Sequence, residues 1–526
     1  MSRACAALAA LRSKSTGLRG WRRWLALAGL GALMALALPP FHLVPLAAVA
    51  LPGLVWMVDS APGPRAAFAA GWLFGFGHFL AGLWWIVNAL LLFGWQFLPV
   101  YPIVICVLPS ILAVFIGLAC AALRLTPVAG PARIVAFAGY WVAFEWLRAY
   151  AFSGFPWNLA GYMWAFSDAT IQPAALGGVY LLSLVGVAAL SMPALLADRA
   201  PGRGTFASVG LAALALIAVY GFGALRLADA PALGSDVVPG VTVRVVQPNV
   251  SQAEKWSRAR HEANFDRLLR LSSASGPAPV TLIVWPETAA TFFLAEQRAA
   301  LAQVAAVVPS GGLLLTGAPR RGAEGGERRL WNSLLAIDNA GRVLASFDKF
   351  HLVPLGEYVP LKGYLPLTKV VEGASDYSPG PGPRTLHLPG LPPVGPLICY
   401  EVIFPGQVLD RADPPRWLLN ITNDGWYGDS PGPRQHFAIA RLRAVEEGLP
   451  LVRAANTGIS GVVDAYGRVV SRLELGRTGV VDAGLPRALE RPPLYGRWGD
   501  WCVLAELALT LFLCGILARV QRFRAK

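Results

Sequence analysis

Three short segments in the C-terminal half of this 526-residue chain each carry a side chain suited to acyl chemistry. Glu287 sits in LIVWPET, Lys349 in FDKFHLVPLGEYVP and Cys399 in LICYE. A carboxylate, an amine and a thiol are the parts needed to activate a sulfur nucleophile and stabilise an oxyanion. A free thiol ionises at about pH 8.5, and the thiolate is the species that attacks. Glu287 is the candidate general base, and the apolar approach from Leu282 to Trp285 predicts burial that raises its pKa. Lys349 is placed to meet the oxyanion, with the backbone N–H of Tyr400 as a second donor. One such donor is typically worth ~10²–10³ in rate. The thioester would be discharged by an incoming nucleophile, a ping-pong sequence. Each residue also has an ordinary reading: Glu287 at a helix N-terminus, Lys349 as a surface cation, Cys399 as a small buried hydrophobe.

Five of the six cysteines fall elsewhere. Cys106, Cys120, Cys502 and Cys514 lie in or beside apolar runs and Cys5 in a basic tail. Cys399 is the only thiol between about Val237 and Leu485, so a disulfide within that region is excluded. An unpaired thiol in an oxidising compartment is a liability unless it is used. The six histidines are scattered, so no Cys/His set has metal-ligand spacing, and neither metal nor cofactor is expected. His351 or His436 could pair with Cys399 in papain fashion. No papain-like context surrounds the cysteine, and His436 reads better as a residue that positions a loop.

Strand ends are the elements that can hold three such groups together. VTVRVVQPNV reads as a strand ending at Asn249, followed by a helical stretch from about Ala253 to Ser273. TLIVWPET is a buried strand and a turn, and GGLLLTGAP a further strand. WNSLLAIDNAGRVLASFDKFHLVP gives two strands joined at Asn339-Ala340-Gly341, and PPVGPLICYE a strand that delivers Cys399. RWLLNITND, a helix from about Arg434 to Gly448, and a closing strand pair in PLVRAANTGISGVVDAYGRVV complete the region. This pattern predicts an α/β sandwich with its chemistry at strand ends.

The remainder is built for lipid. The chain is 55% hydrophobic and 14% charged, whereas soluble domains average about a quarter charged. About eight apolar runs, near 24–40, 42–58, 67–92, 97–122, 133–152, 174–196, 206–226 and 500–520, approach the length that crosses about 30 Å of hydrocarbon. The first two also read as one hairpin hinged at Pro39-Pro40. The net charge of +14 would suggest nucleic acid, but the cations sit at the chain ends and in alternate loops: Arg3 to Arg23, Arg65, Arg124, Arg133, Arg199, Arg203, and Arg519 to Lys526. By the positive-inside rule both termini are cytoplasmic and the polar domain is outside, with no nucleic-acid role. The N-terminus also reads as a signal peptide ending at Ala35-Leu36-Ala37; Pro39 just beyond favours an uncleaved span.

QPN, WPE, NS…DK.HLVP.GEY, CYE, NDGWYG, QH…A..RA.E and NTGISG follow one another over most of residues 242–470. In that order they resemble the nitrilase superfamily. The HLVP-GEY-P version, the transmembrane runs and EWLR…GFPW at Glu145 to Trp157 are similar to the apolipoprotein N-acyltransferases. The resemblance implies a polytopic α-helical membrane domain of about eight transmembrane helices plus a nitrilase-like αββα sandwich. It implies transfer of an acyl chain from a phospholipid to the N-terminal amine of a diacylglyceryl-cysteine apolipoprotein. It adds Glu357 and Glu401 as supporting carboxylates that orient Lys349 or the amine. The expected divisions are a cytoplasmic basic N-terminus over 1–23, a helical bundle over 24–228, a periplasmic catalytic domain over 229–497, and a last span with a basic tail over 498–526. A monomer in the bacterial inner membrane is expected.

Two features fit a lipid substrate. Tyr358-Val359-Pro360-Leu361, with Tyr364, Leu365 and Leu367, puts apolar surface next to Glu357. Trp256, Trp426 and Tyr427 add aromatics in loops beside the site, as lid or as core. Phe155-Pro156-Trp157 and the Trp84-Trp85 pair read as interfacial anchors, and Glu145 with Arg148 as an ion pair or a headgroup site. The competing readings are a membrane-tethered amidase, and a transporter or lipid-binding scaffold carrying a dead domain.

Overall fold

The computed structural model of the chain describes residues 3–91, 101–198, 201–276, 279–324, 327–359 and 376–525. Two compact units emerge: Met1–Val87 with Gln96–Asp229 and Pro493–Lys526, and Ala230–Pro492 with Asn88–Trp95.

The first unit is helical because its sequence offers uninterrupted apolar runs in which every backbone group must be satisfied internally. Among the described residues, five of its helices are long and apolar enough to cross a membrane: Pro64–Val87, Tyr101–Leu125, Ala174–Ala197, Arg203–Ala228 and Asp500–Val520. The other predicted runs also form helices, but of different character. Gly20–Ala35 has 16 residues, and Ala47–Asp59 has 13 with Pro52 inside. The chain turns between them over residues 36–41, where the hairpin reading placed its hinge at Pro39-Pro40. Gly130–Tyr150 is long enough but carries Arg133, Glu145 and Arg148. Small residues let these helices approach closely. A Cβ on Gly77 would collide with the Ala28 backbone of the neighbouring helix.

Two expectations are corrected here. Trp85 and Trp157 are not interfacial anchors; each is 1% exposed, their rings 5.1 Å apart within the unit. Arg148 is no headgroup site, since its guanidinium donates to the carbonyls of Phe155 and Trp157 at 2.6 and 2.8 Å. Glu145 accepts from the Trp141 indole and the Ala160 amide. Both side chains hold the loop after their helix, which a linear reading of EWLR…GFPW does not reveal.

The described residues of the second unit form two sheets. Strands are numbered β1 (Val237–Gln247), β2 (Leu282–Val284), β3 (Leu313–Glu324), β4 (Glu327–Asp338), β5 (Val343–Asp348), β6 (Val394–Ile398), β7 (Trp417–Thr422), β8 (Leu451–Ala455), β9 (Ser460–Val463), β10 (Val469–Leu473) and β11 (Gly479–Pro486). The order is β11-β1-β2-β3-β4-β5 in one sheet and β10-β9-β8-β7-β6 in the other. Pairing is parallel along β1-β2-β3 and β6-β7-β8 and antiparallel elsewhere. One apolar core takes Val243, Val284 and Leu315 from the first sheet and Ile398, Leu419 and Val452 from the second. Parallel strands buried on both faces read as continuous Val/Ile/Leu runs, which is why they were visible in the sequence. The other face of the first sheet is covered by Phe265 and Leu268 of helix His261–Ser272 and by Ala300 and Val304 of helix Arg298–Val307. The Arg298–Val307 helix and strand β11 were not anticipated. The helical stretch expected from Ala253 is broken into Gln252–Lys255, Arg258–Arg260 and His261–Ser272.

Candidate active site

Three chain turns bring the chemistry together. Glu287 follows β2, Lys349 follows β5 and Cys399 follows β6. Two turns carry non-glycine residues at positive φ, Thr288 at 44° and Cys399 at 53°. Such backbone is costly and persists where surrounding structure over-determines it. At the first turn, β3 passes so close that a Cβ on Gly317 would stand 2.7 Å from the Glu287 Cα. At the second, the chain leaves Cys399 directly into the short helical turn Cys399–Ile403.

The Lys349 ammonium, 1% exposed, lies 2.9 Å from Glu357 Oε2 and 3.4 Å from Glu287 Oε1. It is not a surface cation, and Glu287 leads no helix. Asn332 on β4 ties the carboxylates together, its amide donating to Glu287 Oε1 at 2.8 Å and to Glu357 Oε1 at 3.0 Å. The buried Cys399 thiol lies among Glu287, Lys349 and Thr422, close enough for each to act on its ionisation. Burial and the facing Glu287 push that thiol up to about 12, against the pull of Lys349. Glu287 departs from expectation. Burial raises its pKa, but Lys349, Lys255 and the bonds from Asn332 and Cys399 outweigh burial and hold it below the usual glutamate value. Lys349 is held well above its usual value, because Glu357 and Glu287 outweigh its own desolvation. The resting site is thus a neutral thiol facing an ionised carboxylate and an ammonium. It can move a proton from sulfur to Glu287 only as the sulfur attacks.

Glu401 does not bind Lys349. Its Oε2 accepts from the Ile398 amide at 2.6 Å and its Oε1 from the amides of Phe350 and His351 at 2.6 and 3.2 Å. One buried carboxyl therefore staples the residue before the nucleophile to the residues after the lysine. Burial pushes it up to about 8 despite three N–H donors. Tyr400 is buried with its ring edge-on to Phe404.

His436 does not face the thiol. Its Nε2 lies 3.3 Å from the Cys399 carbonyl, and a carbonyl only accepts, so this nitrogen carries the proton. Its Nδ1 is 2.9 Å from Asp424, which also takes an Arg453 bond at 2.8 Å. Asn420 bonds both Arg453 and the Cys399 carbonyl. This fully buried network supports the nucleophile from below. Burial opposes ionisation of Asp424, but Arg453 and His436 bring it down to about 2. Its stabilising contribution is therefore present above the usual carboxylate pKa and lost as pH falls through about 2. Arg453→Met strands that charge and is expected to destabilise the protein by ~3–5 kcal/mol. Thermal unfolding of the full chain in detergent checks this; an unchanged midpoint would count against the network.

The remaining predicted residues are distributed around these groups. Trp256 is 42% exposed, which excludes the core reading, and Trp426 and Tyr427 are half-buried. The Tyr427 carbonyl accepts from Asn88 at 2.8 Å, and burial with the nearby Cys399 raises its phenol well above the usual range. Tyr358 is half-buried, its carbonyl accepting from the Leu355 amide at 2.8 Å. Pro360, Leu361, Tyr364, Leu365 and Leu367 lie outside the described residues. Sequence reasoning missed Asn332, Thr422, Asp424 and Arg453, although NS and NDG stood within quoted motifs. It also missed Lys255, whose only sequence signal is its place beside Trp256. No group of three His, Cys, Asp or Glu able to hold a metal occurs among the described residues.

Paired sheets carrying a carboxylate, a lysine and a cysteine at neighbouring strand ends define a carbon–nitrogen-hydrolase type of site. A family model described as Carbon-nitrogen hydrolase matches residues 242–492. A second, described as Apolipoprotein N-acyltransferase N-terminal domain, matches residues 30–192. The apolipoprotein N-acyltransferase of Brucella melitensis biotype 1 is 42% identical over 528 residues, covering 97% of this chain and 98% of the relative. That of Rhodopseudomonas palustris is 40% identical over 515 residues, covering 94% and 95%. Among solved structures, a carbon-nitrogen hydrolase from Helicobacter pylori G27 aligns at 17% identity and a TM-score of 0.35, over 50% of this chain and 94% of that one. The chain belongs to the apolipoprotein N-acyltransferase family.

Proposed function

We propose that this chain transfers a fatty acyl group from a phospholipid, through a Cys399 thioester, to the N-terminal amine of diacylglyceryl-cysteine apolipoproteins. The observation that carries the chemistry is the buried Cys399 thiol set against the buried Glu287–Lys349 pair. Glu287 takes the thiol proton as sulfur bonds to the ester carbonyl carbon. Lys349 and the Tyr400 amide meet the oxyanion, the ester C–O bond breaks, and Glu287 returns the proton to the departing lysophospholipid oxygen. The amine then attacks the thioester. Its nitrogen loses a proton to Glu287, the C–S bond breaks, and that proton restores the thiol. Glu357 orients Lys349, Glu401 positions both turns, and Trp256, Tyr358, Trp426 and Tyr427 contact the substrates at the rim.

The same reading takes the helical unit as a bundle of about eight transmembrane helices in the bacterial inner membrane. It takes the two-sheet unit as a periplasmic αββα sandwich and keeps the divisions 1–23, 24–228, 229–497 and 498–526. Five long apolar helices and the loop cations support this topology.

Intact-mass analysis after incubation with phospholipid and no acceptor tests the proposal. A fatty-acyl increment on Cys399 that clears on adding a diacylglyceryl peptide is expected. Steady release of free fatty acid, or of ammonia from amides, without an increment would favour the tethered amidase. Because Glu287 is held below its usual pKa, the acylation rate should be flat from about pH 5 to about pH 7. A tenfold rise per pH unit across that window would mean that the thiolate forms in a prior equilibrium with solvent, as a thiol pushed up to about 12 allows, and would count against Glu287 as the base.

A further inference from the structure

The site contains a second buried lysine. Lys255 is 4% exposed and ends the short helix Gln252–Lys255. That helix is pinned at its start: the Ser251 hydroxyl accepts from the Glu254 amide, and Gln252 Oε1 accepts from Asn423 at 2.8 Å. The ammonium is thereby directed inward, where it donates to the main-chain carbonyl of Glu287 at 2.8 Å. This carbonyl belongs to the peptide whose next residue, Thr288, stands at positive φ. Lys255 thus grips the turn that aims the Glu287 carboxylate.

Charge bookkeeping gives the contact a second meaning. Lys349 is shared between two carboxylates, Glu287 and Glu357. Without another cation the buried cluster carries one net negative charge before any chemistry, and keeps it as the oxyanion replaces the Glu287 carboxylate as the charged group. With Lys255 the two ammoniums balance the two carboxylates. The oxyanion then forms as Glu287 is neutralised, and the cluster stays balanced. Low-dielectric surroundings make this matter more than it would in water.

We propose that Lys255 is a positioning residue for acyl-thioester formation, fixing the Glu287 turn and supplying the cation that keeps the buried cluster neutral as the oxyanion develops. The proposal rests on the thioester reading above. The groups whose charge Lys255 feels are Glu287 and Cys399, and burial lowers its own pKa to about 8. Loss of that proton should therefore slow acylation on the alkaline side.

The test uses the full chain in mixed micelles of dioleoyl phosphatidylethanolamine and phosphatidylglycerol. The rate of the acyl increment on Cys399 is followed against pH by intact mass. The parent should show an alkaline limb near pH 8. Lys255→Gln keeps a donor but no charge and should acylate about 100-fold more slowly at neutral pH, with no such limb. Lys255→Arg keeps the charge beyond pH 10 and should stay within about tenfold of the parent, its plateau extended to higher pH. A folded Lys255→Gln protein within about threefold of the parent overturns the proposal. If that variant does not fold, Lys255→Arg decides: an alkaline limb unmoved from the parent's overturns it equally. A parent that never acylates speaks against the thioester reading instead.

Discussion

Cys399→Ser should form no acyl-enzyme and should lose transfer by at least about 10⁴-fold, since nucleophile replacements in comparable triads cost up to ~10⁶. The size of the loss follows from the site. Glu287 is held ionised and weakly basic by Lys349, Lys255 and Asn332. Such a base can take a proton from a polarisable thiol already committed to attack, but it is poorly matched to a hydroxyl, which ionises several units higher. The substitution changes one atom at a buried turn, so the unfolding midpoint should stay close to the parent's. Transfer assay, intact mass and thermal unfolding on one preparation settle the matter. Residual transfer within about tenfold of the parent would remove covalent catalysis from consideration, as would a serine ester accumulating at the parent's rate.

Lys349→Met should lower transfer by ~10³–10⁴ and, unlike the cysteine change, should also destabilise the protein. Its ammonium does two things that one methionine cannot. On the proposed mechanism it meets the developing oxyanion, and it compensates two buried carboxylates at 2.9 and 3.4 Å. Removing one member of a buried ionic cluster typically costs ~3–5 kcal/mol, because the stranded charges remain desolvated. Glu287 would then titrate upward, and any residual activity should fall away as pH drops through a higher range than in the parent. A second substitution separates the two roles. Lys349→Met with Glu357→Gln removes one stranded carboxylate, so part of the stability should return while transfer remains lost. Coupled recovery of both would mean that Lys349 acts only by holding the fold. An unfolding midpoint unchanged in the single variant would contradict the buried geometry.

Much of this molecule is written in local pattern. Apolar runs long enough to span a bilayer and the Val/Ile/Leu strands at 242–246, 282–284 and 417–421 need no partner to be recognised, because each buries its surface along its own length. Glu287 and Cys399 stand just after buried apolar strands and Lys349 just after the more exposed Val343–Asp348, and the fold brings these three singled-out positions together. What the sequence alone could not decide is what those side chains meet. A raised pKa at Glu287 was a sound inference from apolar neighbours, and it failed because Lys255 and Lys349 arrive from segments 32 and 62 residues away. Glu401 sits beside the cysteine in sequence, yet it bonds the backbone after Lys349, 50 and 51 residues distant. Trp85 and Trp157 looked like interface anchors until folding packed them against each other within one unit. Burial and hydrophobicity are properties of a segment and can be read along the chain. The ionisation state of a site depends on charges a few ångströms away, and only the tertiary structure chooses which charges those are.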